Sequence, residues 1–204
     1  MTHLPTDDFR TFVLKSAQGT SQQLKKRQKY ESLPLFTKAG FYYQPNYANV
    51  RQQGIPQRIS VCEILKNKGT RHFVDNEIEA AIQEYQKALS VFCYVENKNP
   101  RWRNEGIKDE DLVFKDQTGT TSEEKEQVRL LKLSLYLNLS ICYLKIGDSK
   151  TCVAACEEAL KIDPKSSKAY YRAAKALTAS ETASLKDYQK AEEYMKKACD
   201  LEAD

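Results

Sequence analysis

The chain has 204 residues, 41% of them hydrophobic and 29% charged, with 7 glycines and a formal charge of +4. That length suffices for one cored domain plus an extension. The scarcity of glycine argues against an all-β fold of tight turns, and so small a net charge makes no case for a nucleic-acid partner. The charge is unevenly spread. Residues 1–60 hold nine Lys/Arg against three Asp/Glu, and the remainder 23 against 25, so a basic arm precedes a near-neutral body and is the place to expect an acidic partner.

In chain order, the start "MTHLPTDDFRTFVLKSAQ" is acidic where a secretory leader is basic, and it has no apolar h-region. The longest apolar run, "VFCYV", is far short of a membrane span. These features predict a soluble cytoplasmic chain with no membrane partner. Residues 1–57 lack sustained periodicity. "QQLKKRQKYESL" suits a short solvated helix, whereas "FTKAGFYYQPNYANVRQQGIPQR", with five aromatics and two prolines, reads as an extended, largely irregular arm. Such an arm builds no core, so its aromatics need cover from the body or from other subunits of a large assembly, a cytoskeletal or ciliary one for example. Its string "LKKRQK" admits an import signal, a contact for an acidic surface, or a solvated helix face.

From residue 58 the pattern turns helical. "RISVCEILKNKGTRHFVDN" and "EIEAAIQEYQKALSVFCYVEN" space their apolar residues as helices do, with a polar break at "VDN". A long loop at about 98–122, rich in mixed charge, carries the sole tryptophan, Trp102, between Arg101 and Arg103. Loops of that length are commonly functional; Trp102 suits either a partner contact or folding back on the body. Two further pairs follow, "EEKEQVRLLKLSLYLNLSICYLKIGD" with "SKTCVAACEEALKIDP", and "KSSKAYYRAAKALTAS" with "SLKDYQKAEEYMKKACDLEAD".

The pairs repeat. A shift of 34 brings Tyr136 onto Tyr170 and Leu139 onto Ala173, and the first pair joins the frame through Gly69, Ala81, Tyr85 and Ala88. Cys152, Cys156 and Ala159 hold the equivalent places in the second pair, and Ala191, Met195 and Ala198 in the third. A helix–turn–helix period of 34, with small residues at the crossings and Pro164 after the second unit, resembles the tetratricopeptide repeat. The resemblance covers 58–204 and implies an all-α solenoid of three repeats, about 58–97, 123–164 and 165–204. Its groove is lined by the first helix of each pair.

In that frame Lys66 and Thr70 share one helix face, Asn138 occupies the groove face of the second repeat, and Lys168 and Arg172 that of the third, with Arg172 one whole repeat after Asn138. Donors of this kind around one hollow suit a carboxylate. The set is similar to the dicarboxylate clamp of co-chaperone tetratricopeptide domains. That resemblance implies a grip on the C-terminal EEVD tail of the ninety- or seventy-kilodalton heat-shock chaperones. Thr70 departs from the clamp, which prefers Asn there. "LKNKGTRHF" and "LYLNLSICYLKIGD" further resemble the large FKBP-type immunophilins. The prolyl-isomerase domain those proteins imply is not expected here, since some sixty residues without strand alternation precede the repeats.

No phosphate loop, metal-ligand set or nucleophile–His pair is legible, so no catalytic residue, metal or cofactor is expected. His72 reads as structural, and His3 lies in the arm. Cys152 and Cys156 offer only weak metal spacing, and all six cysteines read as small buried hydrophobes in a reducing compartment.

Overall fold

The structure, a computed structural model, describes residues 21, 25–180 and 182–203; His3 and the rest of the first twenty residues lie outside these. Two compact units divide the chain. The smaller takes the described residues up to Leu33 together with Glu96–Val113, and the larger takes Pro34–Val95 and the chain from Phe114 onward.

The larger unit holds three helix pairs: α4 (Ile55–Val74) with α5 (Ile78–Leu89), α7 (Ser122–Lys145) with α8 (Ser149–Ile162), and α9 (Ser167–Ala179) with α10 (Leu185–Ala203). Each pair packs on itself, and the first helices are neighbours, α4 against α7 and α7 against α9. The turns explain the pairing. Asn76 adopts φ 61° at the polar break after α4, a conformation asparagine tolerates. Thr121 opens α7 with a reciprocal capping box to Glu124, and the Asp148 side chain caps α8 by accepting from the Thr151 N–H at 3.0 Å.

Small residues let these helices approach closely. Cys62, Ala81, Ala88, Cys152, Ala155, Cys156, Ala159 and Ala173 are all fully buried. Gly69 marks the tightest crossing, because a Cβ there would lie 2.7 Å from Cε1 of Tyr85. The core continues across repeats through Leu135, Leu139 and Tyr143, and buried Gln86 donates to the Tyr143 hydroxyl at 2.8 Å. Ala191 and Ala198 are buried as their repeat positions predict, but Met195 is 37% exposed, because no fourth pair covers that side of α10 among the described residues.

Two expectations need correction. A short helix, α1 (Gln28–Ser32), stands where one was expected, but residues 35–51 are helical rather than extended: α2 (Leu35–Tyr42) and α3 (Gln44–Arg51). Helices of five to eight residues are too short to display a period, and Pro34 and the proline early in α3 start helices here instead of breaking them. The body itself covers the aromatics: Phe36 and Phe41 are buried, α2 packs on α5, and Phe36 meets Tyr136 edge-on at 5.6 Å. The segment around 98–122 is not an open loop. It contains α6 (Trp102–Glu105), a 3-10 turn at Asp109–Asp111 and β2 (Leu112–Asp116), and β2 pairs with β1 (Cys93–Asn97), which lies just before the segment, where helix was expected. Five-residue strands were too brief to read as alternation.

In the larger unit, buried Arg58 ties the start of α4 to the Val91 carbonyl and to Gln117, and its guanidinium lies 4.9 Å from the Phe92 ring. Buried Lys132 pairs with Asp116 and donates to the Gln117 carbonyl at 2.8 Å. In the smaller unit, the Asp109 carboxylate accepts from the backbone N–H groups of Lys29 and Tyr30 at 2.7 and 2.9 Å, clasping α1 to the 3-10 turn.

The cysteines also differ from expectation. Cys62, Cys142, Cys152 and Cys156 are buried, but Cys93 is half-buried and Cys199 exposed. Among the described residues no helix is long and apolar enough to cross a membrane, and no cluster of His, Cys, Asp and Glu could hold a metal ion.

Candidate functional site

Helices α7 and α9 bring three of the five predicted residues to one hollow. Asn138, Lys168 and Arg172 line a space of about 290 Å³ together with Leu130, Leu133, Ser134 and Leu137. On α7 the stripe 130, 133/134, 137/138 follows from helical spacing, one face presented over two turns. On α9, Lys168 and Arg172 stand one turn apart above Ala169 and Ala173, which anchor the helix to the core.

The three polar groups differ in how far they are already engaged. Lys168 is exposed, and among the described residues its ammonium makes no hydrogen bond or ion pair. The half-buried Asn138 amide is likewise without a partner. Arg172 is partly committed: Nη1 donates to the Leu137 carbonyl at 2.6 Å and to Ser140 Oγ at 3.3 Å. Burial pulls its pKa below the ordinary arginine value, against an upward pull from Cys156, Cys152 and Cys142. One nitrogen thus fixes the guanidinium on α7 while the others stay available. No carboxylate lines the hollow, so two cations and an amide face it with no anion of the protein to answer them.

Lys66 and Thr70 are not among the residues lining this hollow. They lie on α4, the helix that packs against α7. Thr70 is engaged within its own repeat: its hydroxyl donates to the Lys66 carbonyl at 3.0 Å and meets the Tyr85 hydroxyl at 3.1 Å. With its proton given to the carbonyl, Thr70 acts as acceptor toward Tyr85 and offers no donor to a ligand. Sequence reasoning missed the apolar wall of Leu130, Leu133 and Leu137, although the i, i+3, i+7 spacing was there to find. Leu130, 49% exposed, is a large apolar side chain left open beside two cations.

Three helix pairs with neighbouring first helices and a Gly–Tyr crossing in the leading pair define a tetratricopeptide-repeat solenoid. The tetratricopeptide repeat family model matches residues 133–166, from the middle of α7 to just past the end of α8. The chain is 24% identical over 116 residues to the peptidyl-prolyl cis-trans isomerase FKBP4 of Mus musculus, covering 57% of this chain and 20% of that protein. It is 29% identical over 133 residues to FK506-binding protein 5 of Rhizopus delemar, covering 65% and 27%. The chain thus spans about a fifth to a quarter of the length of these relatives. Among solved structures, the C-terminal TPR-containing domain of an FK506-binding protein of Plasmodium falciparum superposes with a TM-score of 0.55 at 22% identity, covering 75% of this chain and 84% of that one. A multi-domain immunophilin from Arabidopsis thaliana gives 0.53 at 18%, covering 72% and 47%. The larger unit therefore has the fold of tetratricopeptide-repeat domains, with one repeat matched by the family model, and the chain is similar to part of these FK506-binding proteins.

Proposed function

We propose that the chain is a non-enzymatic cytoplasmic interaction module, a co-chaperone or adaptor. In this role it captures the C-terminal EEVD carboxylates of heat-shock chaperones of the ninety- or seventy-kilodalton class. The observation that carries this reading is the hollow of Asn138, Lys168 and Arg172, in which no carboxylate answers the two cations. Lys168, free of other partners, takes the terminal carboxylate. The unengaged nitrogens of Arg172 and the Asn138 amide add directed donors, and Lys66, on the neighbouring α4 and outside the hollow's lining, would meet a residue further along the tail. Leu130, Leu133 and Leu137 give an aliphatic side chain of the tail an apolar wall. Thr70 supports the site indirectly, by holding Tyr85 against α4. Each charge-assisted hydrogen bond contributes about 1.5–3 kcal/mol, so three of them, about 4.5–9 kcal/mol, together with the apolar wall, are of the size a micromolar complex needs, about 8 kcal/mol.

Titrating a fluorescent peptide that ends in a free EEVD carboxylate tests this. Saturable binding is expected, lost when the terminus is amidated. Absence of binding at about 100 µM, an affinity near 5.5 kcal/mol, overturns the proposal.

A further inference from the structure

A second hollow, of about 320 Å³, lies within the smaller unit and is lined by Lys26, Arg27, Arg103, Asn104, Glu105, Gly106, Ile107 and Lys108. Four cations here face one anion. Glu105 is already taken by Arg101 at 3.0 Å and by the Asn99 amide at 2.9 Å, and Arg27 by Glu31 at 2.9 Å. The side chains of Lys26, Arg103 and Lys108 make no hydrogen bond or ion pair among the described residues, and the Arg103 guanidinium lies on the Trp102 ring at 4.5 Å. In a mixed-charge hollow of the larger unit, by contrast, three of the four lining cations are paired, Lys132 with Asp116, Arg129 with Glu126 and Lys161 with Glu158.

The like charges are held together by construction. Lys26 and Arg103 are far apart in sequence, and the Asp109 clasp on the Lys29 and Tyr30 N–H groups brings their segments side by side. Gly106, with φ 84° and ψ 166°, shapes the rim in a region of backbone space essentially confined to glycine. Cations gathered this way repel one another until an anion enters.

We propose that this hollow is a binding site for a phosphoryl group carried on a protein partner's side chain. A phosphate monoester brings a charge of about −1.5 to −2 and three acceptor oxygens, a match for three unanswered donors that a single carboxylate does not make. A membrane surface suits the unit less well. The acidic run Asp109, Glu110 and Asp111 adjoins Lys108, and no large apolar side chain is exposed on the described residues of this unit.

The test is amide-resolved NMR titration of the full chain with a capped peptide, acetyl-Gly-Gly-phosphoserine-Gly-Gly-amide, whose blocked terminus cannot serve the α7–α9 hollow. Shifts are expected at Lys26, Arg27 and Arg103–Lys108 and not with the serine version. Arg103→Gln should weaken binding at least tenfold, and Lys26→Gln with Lys108→Gln further, with thermal stability unchanged. Gly106→Ala should weaken it without altering charge, whereas Lys168→Ala should leave it intact. Shifts that are absent, equal for the serine peptide, or equal for inorganic phosphate overturn the proposal. So does binding to phosphatidylserine vesicles without binding to the phosphopeptide.

Discussion

Lys168 and Arg172 stand one turn apart on α9 and line the same hollow, yet replacing each with alanine should have different consequences. Lys168 is exposed and without a partner, so its removal falls within the ±0.5 kcal/mol typical of surface substitutions. Its loss from a complex removes one charge-assisted hydrogen bond, about 1.5–3 kcal/mol, or roughly 10- to 150-fold in affinity. Arg172 carries the same debt to the ligand and a second one to the fold. Its 2.6 Å bond to the Leu137 carbonyl and the contact with Ser140 join the second repeat to the third. The bond to the carbonyl is worth at most about 1.5–3 kcal/mol, and part is returned because burial already disfavours the charged guanidinium. A net loss of about 1 kcal/mol is expected, or about 2–4 °C in Tm for a chain of this size. Peptide anisotropy and urea denaturation, run on both variants, separate the two roles. If Lys168→Ala destabilises as much as Arg172→Ala, or if Arg172→Ala leaves stability untouched, the assignment of Arg172 as a two-sided residue is wrong.

Three further outcomes follow from the same geometry. Gly69→Ala gains about 1 kcal/mol of helix propensity but forces a Cβ to within 2.7 Å of the Tyr85 ring, at about 1–3 kcal/mol of overpacking. Net destabilisation of up to about 2 kcal/mol should appear in chemical denaturation, and Tyr85→Leu in the same chain should relieve it. Thr70→Val should cost about 1 kcal/mol of stability through the lost Tyr85 contact and leave the affinity for an EEVD peptide within threefold; a larger loss places the hydroxyl on the ligand after all. Burial pushes the Cys62 thiol up to about 12, whereas an unfolded thiol ionises near 8.5–9. The folded state therefore holds its proton after the unfolded state has released it, and stability should fall as pH rises from about 9 toward 12. The loss approaches 1.4 kcal/mol per pH unit for this thiol. Urea midpoints between pH 8 and 10.5 should slope less steeply in Cys62→Ala, and at neutral pH a thiol reagent should label Cys199 long before Cys62.

The helix pairs were legible because a repeat is written three times. Ala81, Cys152 and Ala191 stand at one structural position, and their agreement in size carries information that no single helix holds. The segments that escaped are those written once. Phe36 and Phe41 form an apolar face only when α2 lies on α5, and a helix of eight residues gives a period no room to declare itself. Trp102 and its neighbours fold through the Asp109 clasp, a carboxylate meeting backbone N–H groups about 80 residues away. Such a contact leaves no local trace, since any aspartate looks the same in sequence until its partner is known.

Within the candidate site, legibility divides along the same line. Asn138 and Arg172 were found as a pair because they are one repeat apart, so whatever one faces the other faces too, displaced by one helix pair. The periodicity specifies where a side chain starts and says nothing of what it touches. Thr70 and Arg172 both sit in the frame with polar groups to offer, but the Thr70 hydroxyl turns to Lys66 and Tyr85 while Arg172 spends one nitrogen on Leu137. A donor counted from sequence is therefore an upper bound on donors available to a ligand. The groove's capacity for an anion rests most directly on Lys168 and Asn138, whose polar ends make no hydrogen bond among the described residues. It rests on Arg172 only through the nitrogens that α7 leaves free. A graded order of alanine effects on peptide affinity should follow, with Lys168 and Arg172 near one another, Asn138 weaker as a neutral donor, and Thr70 close to wild type.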